Sequence, residues 1–345
     1  MKIILDVMGG DNPPEEFVKG AVLARKKYKE EIALVGDGAV ISEALKGAGG
    51  QDRGFEVIHT DDYVTMEDDP MSITGIHNES SMATALRMLA DGRGDAVVSA
   101  GNTGALFTGA TLIARRIRGV RRAALASLIQ LGAPVMVLDC GANVTVTPEY
   151  LVQFAYLGSI YMERVLGIKS PRVALLNNGT EPHKGTPLAV ETYGLLKDAD
   201  GINFIGNIEG KDVPTGGCDV LVTDGFTGNV FLKTAEGMGR FVNERLHDKI
   251  FGGVRGKISE WLKSHEIKLF SKLLDVKEYG GAPFLGISKP VIKAHGDSDG
   301  TAVCSAIGQA RRYVNTNVID EIAQRAASFP KITVNTSLKK KETEN

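Results

Sequence analysis

The chain has 345 residues, 43% of them hydrophobic, and a formal net charge of −2. That composition supplies a packed core and excludes a disordered chain, and the near-neutral balance gives no overall electrostatic case for nucleic acid. Cys140, Cys218 and Cys304 are widely spaced, match neither metal-ligand nor disulfide-framework patterns, and fit a reducing compartment.

Lys2 to Val7 reads as the first strand. No long apolar run follows its lysine, so the expectation is a cytosolic chain and not a signal peptide. Met8-Gly9-Gly10-Asp11-Asn12 is a loop, and Pro13-Pro14-Glu15-Glu16 opens a helix running to about Tyr28. A strand, a helix and a strand follow by residue 59, a βαβαβ pattern that predicts parallel neighbours. Ser80-Ser81 caps a helix to Ala90. The strand Asp95-Ala96-Val97-Val98 then feeds Ser99-Ala100-Gly101-Asn102-Thr103-Gly104-Ala105, ahead of a helical pattern from Leu106 to Ile117.

The apolar stretch from Ala123 to Leu138 is too short and too interrupted to span a bilayer and reads as two strands. Cys140, in Asp139-Cys140-Gly141-Ala142-Asn143, has the residue type of a nucleophile, but a buried free thiol at a strand end is the simpler reading. A long helix starts at Pro148. Arg172 to Leu176 is a strand that empties into the polar loop Asn177 to Thr186, and Leu221-Val222-Thr223-Asp224 is another, running into Gly225-Phe226-Thr227-Gly228-Asn229 before a helix from Val230. Strands at 284–287 and 291–294 precede His295-Gly296-Asp297-Ser298 and a last long helix.

A lone Gly-x-x-Gly between strand and helix is weak, because α/β turns need glycine for conformational reasons. Here the device occurs twice, and glycine loops at helix starts suit anions. In open α/β sheets ligands bind beyond the strand ends, so these loops are grouped as one candidate pocket. They contribute Asp6, Gly9, Gly10, Asp11, Gly101, Asn102, Thr103, Gly104, Asn143, Lys184, Asp224, Gly225, Thr227, Gly228, Asn229 and His295. Taken singly, most have a bland alternative: Asp6 and Asp224 as caps, Lys184 as a solvated cation, His295 bonded to a carbonyl. The group lacks a serine or cysteine triad and a metal-ligand spacing, so the attacking nucleophile is expected to belong to the substrate.

Together, Asp6-Val7-Met8-Gly9-Gly10-Asp11, Ser99 to Ala105, Gly141-Ala142-Asn143, Glu181-Pro182-His183-Lys184-Gly185, Val222 to Asn229, Tyr279-Gly280-Gly281-Ala282-Pro283 and His295-Gly296 resemble the bacterial phosphate acyltransferase family, PlsX. The seven blocks occur in the family's order up to about residue 312. The resemblance implies transfer of a fatty acyl group from acyl carrier protein to inorganic phosphate in phospholipid synthesis, with no metal or other cofactor. It also implies a three-layer α/β/α fold with a largely parallel central sheet, isocitrate/isopropylmalate dehydrogenase-like. Residues 1–335 are expected to form one catalytic unit, readable as two lobes (about 1–98 with 280–335, and about 99–279), with a disordered tail at 336–345.

On residue type, Lys184 is assigned to phosphate or the oxyanion, with Asn229 and His295 as the other catalytic residues. Asn102, Thr103, Gly101 and Gly104 are assigned to the phosphate cradle, Asn143, Thr227 and Asn229 to the acyl carbonyl, and His295 to proton transfer. A thiolate of pKa roughly 8.5 leaves without a strong acid. Departures from the family pattern fall at Ile76 to Ser81, at Arg121-Arg122 and in the shortened stretch to Pro134, and bear on carrier docking and chain preference.

Arg115, Arg116, Arg118, Arg121 and Arg122 are read either as a solvated helix end or as a docking surface for the acidic carrier protein. In 254–275, Ile258, Trp261, Leu262, Leu269 and Phe270 share a helical side opposite lysines, as for a face packed on the core or a dimer mate, or one lying on anionic lipid. The resemblance further implies a homodimer, peripheral membrane contact and a downstream glycerol-3-phosphate acyltransferase, and no nucleic-acid partner. The competing readings are a phosphate acetyltransferase using coenzyme A, a metal-dependent NAD dehydrogenase of the same fold, disfavoured by the missing G-x-G-x-x-G, and a non-catalytic phosphate- or lipid-binding module.

Overall fold

The computed structural model describes residues 1–11, 13–49, 54–130, 133–251, 280–327 and 329. The expected membrane face at 254–275 and the tail at 336–345 lie outside the described residues.

Among the described residues, eleven strands form one sheet: β1 (Lys2–Asp6), β2 (Glu31–Gly36), β3 (Glu56–His59), β4 (Ala96–Ser99), β5 (Ala124–Gln130), β6 (Pro134–Leu138), β7 (Arg172–Asn177), β8 (Asn203–Glu209), β9 (Val220–Val222), β10 (Ala282–Leu285) and β11 (Val291–Lys293). Their order is β3-β2-β1-β4-β11-β10-β5-β6-β9-β7-β8. The pairs at both ends are parallel, as the βαβ pattern predicts. The middle is not: β11 with β10, β10 with β5 and β5 with β6 are all antiparallel. Strands β1, β4 and β11 therefore run opposite to β6, β9 and β7, and their terminal loops leave opposite edges of the sheet. A single row of strand-end loops, as grouped from sequence, does not exist.

The strands are apolar because helices cover both faces. Alternation divides the core into two layers: Ile3 and Leu5 of β1, with Met136 and Leu138 of β6, point to one, and Ile4, Val135 and Val137 to the other. Helices α1 (Glu15–Tyr28), α2 (Gly38–Gly47), α5 (Pro148–Leu166), α6 (Pro187–Lys197), α8 (Gly300–Asn315) and α9 (Val318–Ala326) cover the first face. Helices α3 (Ser81–Ala90), α4 (Thr103–Gly109) and α7 (Gly225–Phe251) lie on the second. The architecture is three-layer α/β/α.

Two helices differ from their predicted limits. α4 starts three residues earlier, and beyond Ala110–Ala114, a wider π-type turn, the chain leaves the helix. There Ile117 N–H donates to the Gly286 carbonyl (2.9 Å) and Ser288 N–H to that of Arg115 (2.8 Å), replacing helical bonds with strand-like ones. α7 starts at Gly225, so the second glycine loop is the first helical turn. That turn seats on the chain after β6: a Cβ on Gly228 would overlap the carbonyl oxygen of Asp139.

Gly228→Ala is accordingly expected to cost about 3 kcal/mol or more by overpacking against backbone. Gly237→Ala, on the same helix with nothing within 4 Å of the added carbon, is expected to be neutral or to gain up to about 1 kcal/mol. Urea unfolding of the two variants against the parent measures the contrast.

Candidate active site

The first glycine loop is held by a buried carboxylate. Asp6 accepts a hydrogen bond from Ser99 Oγ (2.6 Å) and one from Met8 N–H (3.3 Å), and Ser99 Oγ accepts one from Gly101 N–H (3.1 Å). Burial pushes the Asp6 carboxyl up, against the pull of the Ser99 and Ser81 hydroxyls. Gly9 and Gly101 meet backbone to backbone: a Cβ on Gly9 would stand 2.5 Å from the Gly101 nitrogen. Gly10 adopts φ +95°, and the Asp11 N–H next to it donates to the Gly296 carbonyl (2.9 Å).

Asn102 is fully occupied within the chain. Its Oδ1 caps α4 by accepting from Ala105 N–H (3.1 Å), and its Nδ2 donates to the carbonyls of Thr65 (3.3 Å), Met66 (3.2 Å) and Asp68 (3.1 Å). Gly104 packs on Pro70. Of the expected cradle Gly101 to Gly104, Thr103 alone lines the cavity described below. The Asn102 side chain builds the loop and has no amide left for an anion.

The loop after β6, on which the second glycine turn rests, is knotted by Asp139. Its Oδ1 accepts from the N–H groups of Leu125 (3.0 Å), Gly141 (3.3 Å) and Ala142 (3.1 Å), and its Oδ2 from Asn143 N–H (2.6 Å) and Nδ2 (2.7 Å). Burial still pushes this carboxyl up. Asn143 Nδ2 also donates to the Ala123 carbonyl (2.8 Å), and its Oδ1 accepts from Arg122 Nε (2.6 Å). Asp224 caps α7 through Phe226 N–H (3.0 Å), Thr227 N–H (2.9 Å) and Thr227 Oγ1 (2.7 Å). Asn143, Asp224, Gly225, Thr227 and Gly228 thus position α7, and Asn229 is the member of the group that lines the cavity.

That cavity, of about 610 Å³, lies over the antiparallel middle of the sheet. Leu125 and Ser127 of β5, Ala282 of β10 and Lys293 of β11 contribute, with Asp11, Thr103 and His295 from one set of loops and Gly141 from the other. α7 closes one wall with Asn229, Lys233, Glu236 and Arg240, which recur at i, i+4, i+7 and i+11 and form one polar stripe. Cys140 also lines it, but its buried thiol, 3.1 Å from the Val137 carbonyl and raised well above the ordinary thiol range by burial, is no nucleophile.

The stripe joins a chain of ionisable groups. Asp297 Oδ1 is 2.6 Å from His295 Nδ1, His295 Nε2 is 2.7 Å from Lys233 Nζ, and Lys233 Nζ is 2.8 Å from Glu236 Oε2. A lysine ammonium only donates, so Nε2 accepts and the ring proton sits on Nδ1, facing Asp297. Lys293 is 9% exposed, and its ammonium donates to the carbonyls of Ala100 (2.9 Å) and Ala294 (2.6 Å). Burial brings Lys293 down to about 8, with Asp11 the chief opposing influence.

Lys184 is not in the lining. It is exposed on the loop after β7, which is separated from β6 by β9; its N–H donates to the Glu181 carbonyl (3.1 Å) and its carbonyl accepts from Asn177 Nδ2 (3.0 Å). Within the arginine cluster, Arg121 grips the buried Glu149 with two bonds of 3.0 Å, Arg122 bonds Asn143 and lies over the Phe107 ring, and Arg116 bonds the Arg121 carbonyl. All five arginines of the cluster are exposed. Sequence reasoning missed Lys233, Glu236, Arg240 and Lys293. The signals were the helical period after Asn229 and a lysine inside the buried strand Val291-Ile292-Lys293.

Between pH 8 and 10.5 the unfolded chain holds a proton on Lys293 that the folded chain has released, so the contribution of this position to stability rises with pH across that window. The parent is expected to gain about 3 kcal/mol relative to Lys293→Met over it. Chemical denaturation at both ends of the range measures the difference, and an equal pH dependence of the two proteins would contradict the burial.

The sequence matches the model of a family described as "Fatty acid synthesis protein" over residues 1–321. A phosphate acyltransferase of Clostridium novyi is 44% identical over 324 residues, covering 93% of this chain and 97% of its own length. One of Bacillus licheniformis is 43% identical over 333 residues, covering 95% and 99%. Among solved structures, a phosphotransacetylase from Streptococcus pyogenes superposes with a TM-score of 0.60 at 16% identity, covering 91% of this chain and 94% of that one, which shows a shared fold. With a family match from the first strand into the last helix and relatives aligned nearly end to end, the chain belongs to the fatty acid synthesis protein family, the PlsX family of phosphate acyltransferases.

Proposed function

We propose that the cavity transfers a fatty acyl group from the thioester of acyl carrier protein to inorganic phosphate, the activity its relatives' name describes in coarser terms. The observation that carries this reading is a single cavity with cations, Lys233, Lys293 and Arg240, set against an apolar wall of Leu125, Leu232 and Ala282. A phosphate dianion and an acyl chain need those opposite surroundings.

Positioning and charge stabilisation then do most of the work. A phosphate oxygen attacks the thioester carbonyl carbon, the C–O bond forms, the C–S bond breaks, and the proton of hydrogen phosphate ends on the departing sulfur. Asn229, at the head of the α7 stripe, donates to the developing oxyanion. The Lys233–His295 pair lies beside the reacting atoms and passes the proton. Thr103 and Asp11 orient the acceptor, and Lys184 stands outside the lining.

The carrier protein docks on Arg115 and Arg118, at the start of the exposed basic cluster. Arg122 and Asn143 connect that cluster to the loop carrying Gly141 at the cavity wall. The acyl phosphate formed is a reactive anhydride, suited to an acyltransferase acting on a glycerol phosphate, and the reaction is placed in the cytoplasm by a homodimer in peripheral contact with the membrane. No helix among the described residues is long and apolar enough to cross a membrane.

Incubation with acyl carrier protein thioester, acyl-coenzyme A or a nicotinamide cofactor, each with and without phosphate, tests the reading. Acyl phosphate, trapped as hydroxamate, is expected from the carrier thioester only when phosphate is present. Preferential use of acyl-coenzyme A would replace it with the phosphotransacetylase reading. Asn229→Ala is expected to lower kcat by roughly 10²–10³. Reversing charge at Arg115 and Arg118 should raise the KM for carrier protein severalfold and leave that for phosphate unchanged.

A further inference from the structure

Lys293 is a cation without an ionic partner among the described residues. It is nine-tenths buried, and its two hydrogen bonds go to the uncharged carbonyls of Ala100 and Ala294. Asp11 and Asp6 act on it only through space, since no carboxylate among the described residues lies within ion-pair distance of its Nζ. A buried ammonium in that condition is costly, and a strut between two carbonyls has no need of a full charge. An ammonium carries three N–H donors, and two are accounted for. Lys293 shares the sheet face of Val291 by alternation, and that face opens into the cavity. The neighbouring Lys233 is already committed to Glu236 and His295, and Arg240 stands on the helical wall, so Lys293 is the cation of the cavity's sheet floor.

We infer that the third N–H of Lys293 binds the phosphate acceptor, anchoring one of its non-attacking oxygens on the cavity floor between the ends of β4 and β11. The inference rests on the reading that inorganic phosphate is the acyl acceptor. The two carbonyl bonds fix the direction of the remaining donor, so the anion meets a preorganised charge. The same bonds tie the site to the first glycine loop, because the Ala100 carbonyl lies between Ser99 and Gly101.

The test uses the full chain, with inorganic phosphate as the probe, titrated calorimetrically without thioester and varied kinetically with it. Lys293→Met is expected to weaken phosphate, by dissociation constant and by KM, roughly 10- to 100-fold, with the thioester KM unchanged and Lys293→Arg recovering part of the loss. A folded Lys293→Met that binds phosphate like the parent, or that shifts both KM values together, would overturn the inference. Should the variants fail to fold, reductive methylation of the parent at alkaline pH, mapped by mass spectrometry, reads the same contact. Phosphate should protect Lys293 and not Lys184, and equal labelling with and without phosphate refutes it. If the parent itself neither binds phosphate nor makes acyl phosphate, the functional reading falls as well. If the parent does both and Lys293→Met binds normally, only the role of Lys293 falls.

Discussion

The carboxylate of Asp139 receives hydrogen bonds from β5, from three successive backbone N–H groups and from the Asn143 side chain, all in a buried setting. A carboxylate so placed costs free energy unless its lone pairs are met, and here each oxygen is met more than once. The consequence reaches α7. The Asn143 carbonyl receives the Gly225 N–H (2.8 Å), and Gly228 rests against the Asp139 carbonyl, so the first turn of α7 sits directly on this knot. The helix carries the polar stripe of the cavity, and its placement depends on one buried acid and two missing side-chain carbons.

Asp6 plays a similar part across the cavity, joining the end of β1 to the end of β4 through Ser99. Two buried carboxylates thus hold two loops that contain few groups facing the substrate. The residue types that usually mark a site, glycine, asparagine and aspartate at strand ends, here build the frame. Most of the cavity's ionisable groups come from the interior of α7, from the last residue of β11 and from the turn that follows it, with Asp11 added from the loop after β1.

Much of the architecture was legible because it rests on local periodicity. Fully apolar runs such as Ile3 to Leu5 and Val135 to Leu138 mark strands covered on both faces, and Pro148 marks a helix start. Sheet direction was not legible, since the antiparallel pairing of β5 with β10 joins segments more than 150 residues apart and leaves no local signature. Within the site, Asn229 and His295 stood out as polar residues beside glycine. Lys233 and Lys293 did not, because a lysine in a helix resembles a solvated one, and a lysine in an apolar strand is informative only once both faces are known to be buried. Asn102 and Asn143 misled for the converse reason: their amides bond within the chain, and sequence records the donor without its acceptor.

The polar stripe and most of the apolar wall belong to different elements. Asn229, Lys233, Glu236 and Arg240 share one helix, whereas Leu125 and Ala282 sit on strands of the sheet. The strand part of the apolar wall can therefore change while the helical stripe of charge stays as it is. A larger or smaller side chain at Leu125 or Ala282 reshapes the space opposite the stripe without turning the helix that carries it.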